Sequence, residues 1–160
     1  MVACLDTMIL VWGVRRECTP GQEDRLQAAD ALFEQFENDG TRLLIPAPVL
    51  SEYLVRVPRS QWEDVLSVFK AEYIIGTYDA KAAMIAAELH TRRVETLKPE
   101  EIADLGGRRE LKVDCQVVAV AMSNGADVLY SDDKGVKHIA DNRIRVVRLA
   151  DIPVQPRLFK

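Results

Sequence analysis

The sequence is poor in the residues that carry the commoner catalytic chemistries. It has only two histidines and three cysteines in 160 residues. Cys4, Cys18 and Cys115 are odd in number, far apart and form no CxxC, so they suggest neither a disulfide framework nor a thiolate metal site. Free cysteines of this kind suit a reducing cytosol, and a cytoplasmic location is expected. His90 and His138 have no ligand-like neighbours at zinc spacing. No Ser-His-Asp or Cys-His arrangement is visible. Gly106-Gly107 lacks both the spacing of a phosphate loop and a strand before it. No apolar run approaches the roughly 18 residues of a membrane helix. The N-terminus has no basic segment and Asp6 breaks its apolar stretch, which argues against a signal peptide. No internal repeat or low-complexity segment is present. Positive charge is not in excess either: the net charge of −4 argues against nucleic-acid binding through bulk charge. It leaves room for a local basic face, or for a metal that neutralises acids where phosphate approaches.

What is present is ordinary for a soluble domain: 48% apolar and 29% charged residues. The length suits one domain, taken as 1–150 with a tail at 151–160. Short apolar runs at 2–5, 43–45, 127–130 and 144–148 read as strands, and 73–75 as a strand or an extended link. Amphipathic stretches at 24–38, 48–57, 61–71 and 79–96 read as helices, and 137–141 as a short one. The run 8–14 fits either loop or helix. Ser60 is placed to cap the helix at 61–71, and Asn124-Gly125 to stop the one that Asp114 opens. The segment 96–112 is polar and less regular, and core packing is the expected role of Trp12 and Trp62. Strands alternating with helices predict an α/β sandwich with a mostly parallel sheet, whose site lies beyond the carboxyl ends of the strands.

Acids occupy suggestive places in that pattern. Asp6 follows the first strand, and Asp132-Asp133 follows the strand at 127–130. Asp114 falls on the apolar stripe of Val117, Val118 and Ala121, where a carboxylate is costly unless paired. Glu52 lies in the helix 48–57, away from its Val49, Tyr53 and Leu54 face, so solvent exposure is its plain reading. Asp114 also has a plain reading, as a first-turn residue favoured by the helix macrodipole. Asp6, Asp132 and Asp133 could be turn acids. Gathered together, such carboxylates repel one another and hold a divalent cation or take up a proton. Oxygen ligands select magnesium or manganese. Phosphodiester hydrolysis assisted by that metal is the first enzymatic expectation.

The set resembles the PIN-domain family, in particular VapC-like toxin ribonucleases of toxin–antitoxin pairs. The matching pieces are Leu5-Asp6-Thr7, Ser51-Glu52, Asp114 leading Val117-Val-Ala-Val-Ala121, Asn124-Gly125-Ala126-Asp127, and Ser131-Asp132-Asp133. In order and spacing they span about residues 2–149. The resemblance implies a three-layer α/β/α sandwich and a cluster of acids holding one or two Mg²⁺ or Mn²⁺ ions to cleave RNA. Carried over by position, Asp6 and Asp114 are the main ligands. Glu52 is a further ligand or orients the attacking water, and Asp133, ahead of Asp132, is the fourth acid. Thr7 and Ser131 are supporting hydroxyls. It also implies a homodimer and an antitoxin partner, with no membrane association. Departures from the family pattern are the long polar segment before Asp114 and Lys134-Gly135 after the fourth acid. Arg92, Arg93, Arg108, Arg109 and Lys112 make that segment locally basic, with Arg108, Arg109 and Lys112 the candidate RNA contacts. A PIN-like module that binds RNA or protein without turnover is the alternative. A metal-dependent phosphatase is a third reading, disfavoured because Asp6 is followed by Thr-Met and makes no Asp-x-Asp.

Overall fold

A computed structural model describes residues 1–104 and 106–152. Five strands form one sheet: β1 (Val2–Leu5), β2 (Arg42–Pro46), β3 (Ile74–Gly76), β4 (Val128–Tyr130) and β5 (Arg145–Val147). Their order is β3-β2-β1-β4-β5, and every pairing is parallel. β1 is central and buried along its whole length, as a strand covered on both faces must be.

The helices are α1 (Thr7–Leu10), α2 (Glu23–Asn38), α3 (Ala47–Val55), α4 (Trp62–Glu72), α5 (Ala80–Thr96), α6 (Pro99–Asp104), α7 (Arg108–Ser123) and α8 (Lys134–Ala140). The chain winds outward from β1 through β2 to β3, then returns to the other side of β1 for β4 and β5. With right-handed crossovers, that reversal moves the later helices to the opposite face of the sheet. α5, α7 and α8 pack on one another there. The result is the expected three-layer α/β/α sandwich, and the reversal opens a crevice between the carboxyl ends of β1 and β4. Among the described residues no helix is long and apolar enough to cross a membrane.

Local signals act largely as expected. Asp79 caps α5 by accepting from the Ala82 amide at 2.9 Å. Gly125 stops α7 with φ +74, and the Ala126 amide returns to the Ala121 carbonyl at 3.0 Å. The run 8–14 resolves into α1 followed by a π turn at Val11–Arg15.

Four expectations need correction. Ser60 does not cap α4; it lies in a 3-10 turn, Arg59–Gln61, that leads into the helix. The polar segment 96–112 is mostly helical, because α6 and the first turn of α7 fall within it. Asp114 therefore sits nearly two turns inside α7, beyond the reach of the free amides at its start. Trp62 is 40% exposed rather than packed in the core, with its indole N–H donated to the Val57 carbonyl at 2.9 Å, whereas Trp12 is buried. Of the proposed tail at 151–160, residues 153–160 lie outside the described residues.

Candidate active site

The crevice is a cleft of about 800 Å³. Asp6, Thr7, Glu52, Asp114, Asp132 and Asp133 all line it. Each acid reaches it by a different route. Asp6 follows β1 and caps α1, its Oδ1 accepting from the Thr7 amide at 2.7 Å. Ser131, fully buried after β4, donates its hydroxyl to Asp6 Oδ2 at 2.5 Å and accepts from the Asp133 amide at 3.1 Å. One hydroxyl thus ties the ends of β1 and β4 together. Asp133 caps α8, its Oδ1 accepting from the Gly135 amide at 2.5 Å. Glu52 is exposed, as its helical-wheel position indicated, yet its flank of α3 faces the cleft and the Thr7 hydroxyl donates to its Oε2.

Asp114 is held less firmly. Burial pushes its carboxyl up to about 8, and repulsion from Asp133, Asp6, Glu52 and Glu110 adds to this, with no hydrogen bond in opposition. Asp6 is pushed up to about 6, chiefly by burial. The Ser131 and Thr7 bonds pull it back, while Asp133 and Glu52 raise it. No positive charge figures among the influences on either acid. Such groups keep their charge only if a cation joins them, and otherwise they hold protons.

Gly135 lies against two of these carboxylates. A Cβ built there falls 2.7 Å from Asp114 Oδ2 and 2.9 Å from Asp133 Oδ1. The two carboxylates therefore face one another across the space that a side chain would fill. The donors are all oxygen, which fits a hard divalent ion. Among the described residues no three Asp, Glu, His or Cys side chains already converge as a finished cage. Asp114, which makes no side-chain hydrogen bond among the described residues, is the carboxylate that could turn to join Asp6 and Asp133 in holding a cation. Gly135→Ala should push these carboxylates apart and lower metal-dependent activity about 10- to 100-fold, the range for groups that orient metal ligands. Metal titration by calorimetry, alongside a melting curve to verify folding, checks this.

Asp132 behaves differently from Asp133. Its Oδ1 accepts from the Leu149 amide at 2.6 Å and its Oδ2 pairs with Arg25 Nη1 at 2.7 Å. It pins the segment after β5 to the end of β4 and to α2. Of the three candidate RNA contacts, Arg109 lines the cleft, while Arg108 and Lys112 are not among its lining residues. Arg92 pairs with Asp141 at 3.0 Å, and buried Arg93 donates to the His138 carbonyl, so both hold α5 against the end of α8. Sequence reasoning missed Arg25, Arg56 and Arg148 on the cleft wall. Arg148 could have been found, since it follows the last strand at the sheet's carboxyl edge. It also missed the purpose of Gly135, which departs from the family pattern but makes room for two acids.

No family model matches the chain, and no curated protein matches it in sequence. Solved structures do. A chain of VapBC2 from Rickettsia felis, bound to a promoter DNA fragment, superposes with a TM-score of 0.60 at 18% identity, covering 92% of this chain and 98% of that one. A chain of DNA-bound VapBC from Salmonella typhimurium superposes with a TM-score of 0.58 at 16% identity, covering 93% and 98%. With β1 central, every strand parallel and the acids gathered where the winding reverses, this chain has the fold of a VapC-like PIN domain.

Proposed function

We propose that the protein is a divalent-metal-dependent endoribonuclease, the toxin of a toxin–antitoxin pair. The observation that carries this reading is the meeting of Asp6, Asp114 and Asp133, with Glu52 beside them, at the sheet's reversal point, where burial and mutual repulsion raise the Asp6 and Asp114 carboxyls. A protein that only bound RNA or another protein would gain little from concentrated negative charge where phosphate approaches.

Asp6 and Asp114 would hold one or two Mg²⁺ or Mn²⁺ ions, with Asp133 and Glu52 completing the set. A metal so bound polarises the phosphoryl group and lowers the pKa of water. The protein's own groups do the positioning. Ser131 fixes the Asp6 carboxylate and the Asp133 backbone in one frame. Thr7 holds Glu52 by Oε2, leaving Oε1 to orient the attacking water or accept its proton. The antitoxin partner is supported by the VapBC complexes that share the fold, and a homodimer belongs to the same reading.

Purified protein should cleave single-stranded RNA with magnesium or manganese and lose that activity in EDTA. Expression in bacteria should arrest growth, and co-expression of a cognate antitoxin, sought as a small DNA-binding protein in an adjacent gene, should restore it. RNA binding in EDTA with no cleavage in either metal would favour the non-catalytic module. Hydrolysis of a small phosphate ester, with RNA untouched, would favour the phosphatase.

A further inference from the structure

The cleft has a second region that the acidic centre does not use. Four buried side-chain polar atoms lack a hydrogen-bond partner among the described residues: Trp12 Nε1, Arg25 Nη1, Arg148 Nε and Thr41 Oγ1. Three of the four belong to residues that line this one cleft, and all three are N–H donors. Arg25 Nη1 has an ion-pair partner in Asp132, so the donors left without any polar partner in this wall are Trp12 Nε1 and Arg148 Nε, and unpaired buried donors are costly.

That wall is built from three parts of the chain. Arg25, on α2, lies over the Trp12 ring with its guanidinium carbon 5.8 Å from the ring centre. Its Nη1 is 2.7 Å from Asp132 Oδ2, near enough to be an ion pair, but without an N–H aligned to make a hydrogen bond. Asp132 in turn holds the Leu149 amide, which carries the neighbouring Arg148 into the same wall. Asp132 pairs with Arg25, while no ion pair to Arg148 is found among the described residues. Arg25 and Arg148 line the same cleft as the acids, so a chain that meets the acidic centre can also reach them.

We propose that Arg25 and Arg148, backed by Trp12, form a subsite for a phosphate of the RNA chain other than the one being cleaved. A polynucleotide presents phosphates in a row, so one can lie at the acidic centre while another meets the guanidinium groups. Arginine suits the task because its planar fork of donors matches two phosphate oxygens at once. Arg25 is already oriented by Trp12 and Asp132, so little rotamer freedom is lost on binding. This inference rests on the ribonuclease reading.

The test measures binding of a fluorescein-labelled single-stranded RNA oligonucleotide in EDTA at several salt concentrations. The same oligonucleotide is then followed through magnesium-dependent cleavage. Arg148→Gln is the main variant, since it leaves the Arg25–Asp132 pair in place, and Arg25→Gln is the second. Melting curves verify that each is folded. Removing one phosphate contact should raise Kd roughly three- to tenfold and lower the slope of log Kd against log salt by about 0.7. KM should rise in step, with kcat within about twofold, because the contact is equally present in ground and transition states. Unchanged Kd and salt slope in both folded variants, beside a wild type that binds and cleaves RNA, overturns the subsite alone. Weakened RNA binding in the variants, beside a wild type that never cleaves, upholds the subsite and overturns the ribonuclease reading. Weakened binding of a glutamate-rich peptide with RNA affinity unchanged overturns the subsite in favour of a protein ligand.

Discussion

Asp114→Asn should abolish RNA cleavage while making the protein more stable. The loss should be on the order of a thousandfold in kcat, the scale on which removing one charge-stabilising group acts. The gain follows from the other side of the same chemistry. At pH 8 and without metal, half or more of the Asp114 carboxyl is ionised in a place that disfavours its charge, since burial and four acids push it up to about 8. Asparagine keeps the shape and removes the charge. Its amide should raise the melting temperature in EDTA at pH 8.5 by several degrees, at about 2–4 °C per kcal/mol for a chain of this size. A parallel cleavage assay and thermal melt check both halves. Cleavage at the wild-type rate would sink the mechanism. A lower melting temperature would show that the charge is welcome where it stands.

The second large effect is an interaction between pH and metal. Asp6 and Asp114 are raised to about 6 and about 8 in the folded protein, from about 3.9 in the unfolded chain. A carboxyl raised by folding binds more protons in the native state between those two values. Stability therefore falls as pH rises through that window: not at all below about 4, for both acids together from there, ending near 6 for Asp6 and near 8 for Asp114. Each unit corresponds to 1.36 kcal/mol before discounting for the cleft's access to water, so a combined loss of roughly 2–3 kcal/mol is reasonable. The melting temperature in EDTA should drop by roughly 5–10 °C from pH 5 to pH 8.5. Saturating magnesium should recover most of it at pH 8.5 and little at pH 5, where protons compete for the same oxygens; a ligand at 100 times its Kd contributes about 2.7 kcal/mol. A melting temperature that does not vary with pH, or a magnesium effect equal at both ends, would count against a metal held by these acids.

The sheet and most of its helices were legible because their signals are local. Apolar runs marked four of the five strands and left the short third one, Ile74–Gly76, open between strand and link, and the position of Asp6 and Asp133 just past two of them indicated where a site would lie. Asp114 was legible as an anomaly, an acid on a buried stripe. The reason for tolerating it was read wrongly, because the start of α7 was hidden in a polar segment whose Arg108, Arg109 and Glu110 look like loop residues. Helical propensity is weak evidence when charge masks periodicity. Glu52 was legible in its exposure but not in its role: a helical wheel reports which residues avoid the core, and cannot say that the solvent on that side is the floor of a cleft. Gly135 and the Arg25–Asp132 pair were illegible for a stronger reason. Each takes its meaning from residues far away in the chain, and no local pattern encodes a neighbour that only the fold supplies.

The bond between Ser131 and Asp6 joins residues 125 positions apart, across two adjacent strands of the sheet. Synthesis runs from the N-terminus, so Asp6 leaves the ribosome long before its partner exists. β1 can pair early with β2, but its other edge stays open until β4 emerges. Such long-range parallel pairing is slow to form. A nascent chain short of β4 carries Asp6, Glu52 and Asp114 without Ser131 to fix them or Asp133 to face them. The acidic cleft is thus assembled only when β4 joins β1, because the same pairing that closes the centre of the sheet brings Ser131 and Asp133 to Asp6.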